Sequence, residues 1–286
     1  LIQASQLFKN LVSDLSGLYD KNEATSIARI VLNEKLGISR TDLVVEPLRQ
    51  ISKDDEEKIT GIAKKLMIGI PVQYVLGYTD FYGLRFKVNK NVLIPRPETE
   101  ELVKLIIKES KDKSGLRVLD IGTGSGCIAI ALAKGLINPQ VQAIDISTKA
   151  LEVAKENSIL NEASVKFINA DILKESGWGK LFKFDIIASN PPYVTERERD
   201  GMHVNVLNNE PHSALFVPED EPLLFYNKIS DMALKHLSPG SKLYFEINEA
   251  YGIEIAGMLE SKGFTDILIL KDLNGKDRIA TGIFRV

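Results

Sequence analysis

The stretch Val118-Leu119-Asp120-Ile121-Gly122-Thr123-Gly124-Ser125-Gly126 decides the fold. Its opening residues read as a short buried strand, and the glycines as a tight turn leading into a helix over 127–134. Outward from it, strands are expected over 117–121, 141–145, 165–168, 184–189, 242–247, 265–270 and 279–284, with helices over 149–160, 223–237 and 253–262. Strands and helices in alternation call for a mostly parallel sheet with helices on both faces, an α/β domain. In such a sheet, ligands bind beyond the carboxyl ends of the strands.

The chain before residue 70 reads differently. Ile27, Ile30, Val31 and Leu36 follow a helical rhythm that stops at Gly37. Ser52 opens a second helix whose apolar stripe is Ile59, Ile62, Ala63, Leu66 and Met67, ended by Gly69 and Pro71. Residues 78–90 alternate apolar with polar around Gly83, as a hairpin does. The expected organisation is therefore a helical bundle over 1–75, a β-hairpin connector over 76–92 and a catalytic domain over 93–286. At about 150 residues per domain, a 286-residue chain has room for two.

Charge and composition exclude several classes. With 44% apolar and 26% charged residues the chain is globular rather than disordered or fibrous. A net charge of -3 supplies no broad cationic field for a phosphate backbone, and residues 1–75 balance seven Lys and three Arg against five Asp and five Glu. No direct nucleic-acid partner is expected. Cys127 is the single cysteine, and His203, His212 and His236 show no metal-ligand spacing, so neither disulfide nor bound metal is expected. No apolar run reaches membrane-spanning length, and the start lacks a secretory pattern, so the reading is a cytoplasmic chain with no membrane partner, expected to be a monomer.

Glycine at 122, 124 and 126 lets backbone approach a ligand closely. Asp145 ends the next strand, 19 residues past Gly126, placed to accept from two ribose hydroxyls. A dinucleotide site prefers a further glycine where Cys127 stands, and a carboxylate at Asp120 repels a pyrophosphate but can accept from the ammonium of a methionine moiety. S-adenosylmethionine therefore fits better than a nicotinamide cofactor. Asp171, after another strand, is placed for the adenine amino group, with Ile172 against the ring.

Asn190-Pro191-Pro192-Tyr193 follows the strand over 184–189. The two prolines lack N–H groups and cannot extend the sheet, so they hold a rigid extended corner. The Asn190 carboxamide and the Pro191 carbonyl form a pair of acceptors suited to a planar NH2 group, with Tyr193 as an aromatic wall.

These two motifs resemble those of class I S-adenosylmethionine-dependent methyltransferases acting on a planar nitrogen. More narrowly, the chain resembles the protein-(glutamine-N5) methyltransferases that modify peptide chain release factors. Pro71-Val72-Gln73-Tyr74-Val75-Leu76-Gly77, Ile94-Pro95-Arg96-Pro97-Glu98-Thr99-Glu100 and Asn209-Glu210-Pro211-His212-Ser213-Ala214-Leu215 carry the same resemblance in the same order. It implies a Rossmann-like seven-stranded sheet with its last strand antiparallel, a helical domain that helps hold the factor, and methylation of the glutamine in the Gly-Gly-Gln motif of class 1 release factors, with S-adenosylhomocysteine as product. It puts cofactor residues at Gly122, Thr123, Gly124, Ser125, Gly126, Asp145 and Asn190, to which the reading of the residues themselves adds Asp120, Asp171 and Ile172. Substrate contacts fall on Asn190, Pro191, Pro192 and Tyr193, with Asn190 and Pro191 catalytic. Many relatives carry an aromatic residue where Ile172 stands.

Two other functions suit parts of the same pattern: an amino-methyltransferase for adenine or guanine in nucleic acid, which the charge disfavours, and a non-catalytic adaptor keeping the fold for binding, which the intact glycines, Asp145 and Asn190 disfavour. The resemblance places Pro95, Arg96 and Glu98 near the active site, where each is expected to shape the pocket or touch ligand; Glu210 is expected to cap or bridge, and His212 to be structural. Asp272 and Arg278 bracket a polar turn.

Overall fold

Helix starts and stops in the first 77 residues follow from single side chains. The Asp20 carboxylate accepts the N–H groups of Asn22 and Glu23, and the Ser52 hydroxyl accepts that of Asp55, each satisfying donors that a helix start leaves unpaired. Gly37, in the left-handed region at φ 61°, ends the helix begun after Asp20. The computed structural model describes residues 1–178 and 182–285, so the last residue of the expected 93–286 domain lies outside the described ones.

The first unit comprises Leu1–Gly77 and His203–Asn209. Its elements are β1 (Ile2–Gln3), α1 (Ala4–Leu15), α2 (Lys21–Leu36), α3 (Arg40–Val45), β2 (Gln50–Ile51), α4 (Lys53–Met67) and α5 (Val72–Leu76). Leu7, Leu11 and Leu15 of α1 pack with Ala28, Val31 and Leu32 of α2 and with Ile59, Ala63 and Leu66 of α4. Met67, expected on the buried stripe of α4, is 49% exposed. It follows Leu66 by one residue, about 100° around the helix, which carries it past the buried sector.

The second unit comprises Tyr78–Met202 and Glu210–Val286. In chain order come β3 (Tyr78–Phe81), β4 (Leu84–Lys87), α6 (Pro97–Glu109), β5 (Arg117–Ile121), α7 (Cys127–Gly135), β6 (Gln140–Asp145), α8 (Thr148–Leu160), β7 (Val165–Asn169) and β8 (Phe184–Ser189). After α9 (Val204–Asn209), which belongs to the first unit, come α10 (Leu224–His236), β9 (Leu237–Glu246), α11 (Gly252–Ser261), β10 (Phe264–Lys271) and β11 (Asp277–Phe284). Seven strands form one sheet in the order β10-β11-β9-β8-β5-β6-β7, and β11 runs antiparallel to both its neighbours. The pairs β9–β8, β8–β5, β5–β6 and β6–β7 are parallel. This is the Rossmann-like α/β sheet of seven strands, the last antiparallel, that the sequence resemblance implies.

Successive strand residues face opposite layers. Val118 packs with Leu102 and Ile106 of α6 and Ile128 of α7, whereas Leu119 and Ile121 pack with Ile229 and Met232 of α10. β9 begins five residues before the expected start, because Leu237 pairs with Phe184 and an irregularity then shifts the register to Ile186 opposite Lys242.

Two domain boundaries differ from expectation. The hairpin belongs to the second unit rather than standing as a connector: Phe81 and Phe86 are buried, edge to face with centroids 5.9 Å apart, behind a turn with positive φ at Tyr82 and Gly83. The segment 203–209, expected in the catalytic domain, belongs to the first unit instead. Asn205 Nδ2 donates to the Tyr19 hydroxyl at 3.1 Å, and Asn209 Nδ2 donates to the Gly69 carbonyl at 2.9 Å.

Leu66 and Met67 test the face assigned to α4. Leu66→Ala is expected to cost about 2–5 kcal/mol by urea denaturation, and Met67→Ala well under about 1 kcal/mol. Equal losses would mean that α4 is rotated.

Candidate active site

Parallel register brings the two motifs together. Ile121, the last residue of β5, is paired with Ser189, the last residue of β8, and the Ser189 hydroxyl donates to the Ile121 carbonyl at 2.7 Å. The residues that follow, Gly122 and Asn190, therefore leave the sheet side by side at its carboxyl edge. On the other flank Ile121 is paired with Ile144 of β6, and the N–H groups of Gly122 and Thr123 both donate to the Ile144 carbonyl. Asp145 ends β6 opposite Asn169 of β7, which brings Asp171 to the same edge.

A cavity of about 360 Å³ opens there, within the size range of small-molecule sites. Of the residues expected from sequence, Gly122, Gly124, Asp145, Asp171, Ile172, Asn190, Pro191 and Pro192 line it. Asp120, Thr123, Ser125, Gly126 and Tyr193 lie outside the lining. Gly124, with φ 54°, has nothing within 4 Å of where a Cβ would stand, so this part of the bend is bare. Gly126 serves packing instead: a Cβ there would meet Ile130 at 3.0 Å and Ala154 at 3.1 Å.

The carboxylates of the bend are shaped by backbone donors. Asp145 Oδ2 accepts the Gly124 N–H at 2.9 Å and Oδ1 accepts the Ser147 N–H at 2.8 Å, which fixes the bend to the end of β6. Burial raises its carboxyl above the usual range against these bonds. Asp120 is fully buried; Oδ2 accepts from the Thr123 hydroxyl at 2.6 Å and the Ala129 N–H at 3.2 Å, while Oδ1 has no partner among the described residues. Burial pushes the Asp120 carboxyl up to about 7. An orphaned carboxylate oxygen behind a bare glycine bend fits a ligand carrying an ammonium, and apolar Ile172 and Ile146 beside Asp145 and Asp171 fit an uncharged nucleoside. The residues present therefore suit S-adenosylmethionine.

At the diproline corner, Asn190 Nδ2 donates to the Thr99 hydroxyl oxygen at 3.2 Å, and its Oδ1 takes no hydrogen bond among the described residues. Tyr193, expected as a wall, points its hydroxyl to Glu246 Oε1 at 3.2 Å, leaving Pro191 and Pro192 to form the wall. Burial raises the Tyr193 phenol well above its usual value, and Glu246 nearby adds to the shift.

Several contributors escape a reading of the sequence. Lys90, Asn91, Val92 and Leu93, together with Phe225 and Ile229 of α10, also line the cavity. Glu210 bridges rather than caps: Oε1 accepts from Arg96 Nη2 at 2.6 Å and Oε2 from the Ile94 N–H at 3.2 Å, holding the segments on either side of Leu93 and Pro211 together. Asn157, fully buried, donates to the carbonyls of Ser125 and Lys87 and accepts the Lys87 N–H, tying the glycine bend to the hairpin. Its place in the helix over 149–160 was legible, but its polar side chain on a buried face was the one signal of a role. His212 packs edge to face on Phe216. Arg278 Nε pairs with Asp272 across the polar turn.

Burial pushes the Cys127 thiol up to about 12, so it is not a nucleophile. Among the described residues no cluster of three or more potential metal ligands occurs, and no helix is long and apolar enough to cross a membrane.

The chain matches two protein families: "PrmC N-terminal domain" over residues 6–77 and "Methyltransferase small domain" over residues 98–216. A release factor glutamine methyltransferase of Flavobacterium psychrophilum is 46% identical over 277 residues, covering 96% of each chain. One of Bacteroides thetaiotaomicron is 43% identical, over 93% of this chain and 95% of its own. Among solved structures, a methyltransferase from Pyrococcus furiosus aligns with TM-score 0.52 at 22% identity, over 72% of this chain and 91% of its own. A Thermus thermophilus 16S rRNA methyltransferase aligns with TM-score 0.52 at 16% identity, over 73% of this chain and 50% of its own. The last two establish likeness of fold alone.

Asp120 makes a test of the buried carboxyl. Its folded value near 7 lies above the unfolded value near 4, so its stabilising share is complete below about pH 4 and is lost as pH rises through about 7. Relative to Asp120→Asn, the parent protein is expected to lose stability steadily across that window in urea titrations. A constant difference between the two proteins would mean that the carboxyl titrates normally.

Proposed function

The chain belongs to the release factor glutamine methyltransferase family, and from that premise we propose that it moves a methyl group from S-adenosylmethionine to the N5 side-chain amide of the glutamine in the Gly-Gly-Gln motif of class 1 release factors. S-adenosylhomocysteine is the other product. The helical first unit, neutral in charge, takes part in holding the factor. The observation that carries this reading is a cavity lined by both the bare glycine bend and Asn190, whose Oδ1 takes no hydrogen bond among the described residues.

Gly122 and Gly124 offer backbone, Asp145 the acceptor for ribose hydroxyls, Asp171 and Ile172 the adenine contacts, and Asp120 the counter-charge for the methionine ammonium. Thr123, Ser125 and Gly126 keep the bend in shape. S-adenosylmethionine, when bound, supplies a methyl group on a cationic sulfur. The chain's own residues act on the acceptor. An amide nitrogen is a poor nucleophile because its lone pair is delocalised, so its orientation decides the rate. Asn190 Oδ1 and the Pro191 carbonyl accept the two N–H bonds, fix the plane of the amide, and take up positive charge as the nitrogen forms its new bond. Rigid Pro191 and Pro192 keep both acceptors in place without reorganisation and exclude water with their rings. A proton leaves the nitrogen after transfer, so no strong base is required.

Incubation with radiolabelled S-adenosylmethionine and a purified release factor, followed by mass mapping, tests the assignment: label on the Gly-Gly-Gln glutamine is expected, and label entering RNA or DNA instead would overturn it. Asn190→Ala is expected to lower turnover about a hundredfold while cofactor affinity stays within a few-fold; near-normal turnover would remove the residue from the mechanism. Asp145→Ala is expected to weaken cofactor binding by about 1–3 kcal/mol in calorimetry, and unchanged affinity would take Asp145 out of the site.

A further inference from the structure

Glu246 ends β9 and is 1% exposed, yet it lies outside the cavity lining. Its two oxygens hold two different parts of the chain. Oε2 accepts from the Thr99 hydroxyl at 2.6 Å, and Oε1 accepts from the Tyr193 hydroxyl at 3.2 Å. Thr99, 2% exposed in the first turn of α6, accepts in turn from Asn190 Nδ2 at 3.2 Å. One carboxylate thus grips both ends of the Asn190–Tyr193 corner, directly at Tyr193 and through a hydroxyl at Asn190.

The direction of these bonds matters more than their number. A threonine hydroxyl has one hydrogen, and an acceptor-only carboxylate at 2.6 Å takes it. The Thr99 oxygen that remains can only accept. A carboxamide has one donating end and one accepting end, so Asn190 must turn its NH2 to Thr99 and its Oδ1 away. Rotated by half a turn, the same side chain would aim N–H donors at a substrate NH2 group, donor against donor, and the acceptor pair at the corner would be lost. Burial raises the Glu246 carboxyl above its usual range, against its hydrogen bonds from Thr99 and Tyr193 and the positive charge of nearby Arg278.

We propose that Thr99 and Glu246 are positioning residues that set the polarity of the Asn190 carboxamide, so that Oδ1 and not Nδ2 meets the amide to be methylated. This rests on the reading of Asn190 as substrate acceptor. Neither residue touches substrate. Their effect falls on turnover, because a misdirected amide still admits cofactor and factor but does not orient the nitrogen.

Thr99→Val keeps the shape and removes the hydroxyl, and Thr99→Ser keeps the hydroxyl and removes the methyl. Both are measured beside Asn190→Ala with labelled S-adenosylmethionine and release factor. For Thr99→Val, kcat is expected to fall about tenfold or more, the scale of one oriented hydrogen bond, while KM for the factor and cofactor affinity stay within about threefold. Thr99→Ser is expected to restore kcat to within about threefold of the parent. The proposal is overturned if Thr99→Val turns over within about twofold of the parent, if its loss lies in KM or cofactor affinity instead, or if Thr99→Ser is as slow as Thr99→Val. Should Thr99→Val not fold, Glu246→Gln carries the test, because its amide can donate to the Thr99 oxygen and free the Thr99 hydrogen for Asn190 Oδ1: a fall in kcat of about tenfold or more with KM within about threefold supports the proposal, and turnover within about twofold of the parent overturns it. Unimpaired turnover by Asn190→Ala would sink the underlying reading, whereas a slow Asn190→Ala beside a normal Thr99→Val sinks the relay only.

Discussion

Parallel pairing of Ile121 with Ser189, locked by the Ser189 hydroxyl on the Ile121 carbonyl, is the constraint on which the site depends. A sheet fixes register because a slip of one residue would turn every buried side chain of a strand to the wrong layer. Leu119 and Ile187 are both fully buried on one face, and Val118 and Ala188 on the other, so β5 and β8 have no freedom to slide. The two chain segments that leave the sheet at that edge have opposite properties. One is glycine-rich and turns sharply, with positive φ at Gly122, Gly124 and Gly126, and the other is a rigid diproline corner.

Two buried carboxylates flank the resulting cavity and are used differently. Asp120 keeps one oxygen without a partner among the described residues, a costly arrangement that a bound ammonium would relieve. Glu246 has both oxygens satisfied by hydroxyl donors, so its role is internal: it sets which way its neighbours point. Burial raises the carboxyl of each, yet among the described residues Asp120 alone of the two keeps an oxygen without a partner. The difference lies in what each faces. Asp120 stands behind the glycine bend, where backbone supplies few donors, and Glu246 stands behind α6 and the corner, where Thr99 and Tyr193 supply two.

Legibility followed distance along the chain. The bend at Gly122–Gly126 and the corner at Asn190–Tyr193 could be read from sequence, since each concentrates its chemistry within a few consecutive residues. Helix limits at Gly37 and Ser52 were legible for the same reason: a left-handed glycine and a hydroxyl cap are local devices. Glu246, 147 residues from Thr99 and 53 from Tyr193, gave no sign, because it is an acid at the end of an apolar strand until the sheet brings its partners to it. Asn205 likewise looks like one more polar residue in a loop, and only folding puts it on Tyr19. Phe225 lines the cavity from a helix whose apolar pattern signals packing alone. Tyr193 shows the converse: its place beside the corner was legible, but an aromatic ring with a hydroxyl can be a wall or a hydrogen-bonding post, and the carboxylate behind it decides.

The most direct measurement is a crystal structure of the protein with S-adenosylhomocysteine and a peptide containing the Gly-Gly-Gln sequence. The predicted result has the glutamine NH2 between Asn190 Oδ1 and the Pro191 carbonyl, with the ribose on Asp145 and the amino group of the cofactor product toward Asp120. A peptide glutamine lying outside the corner, or an Asn190 carboxamide turned with its NH2 toward the peptide, would contradict it.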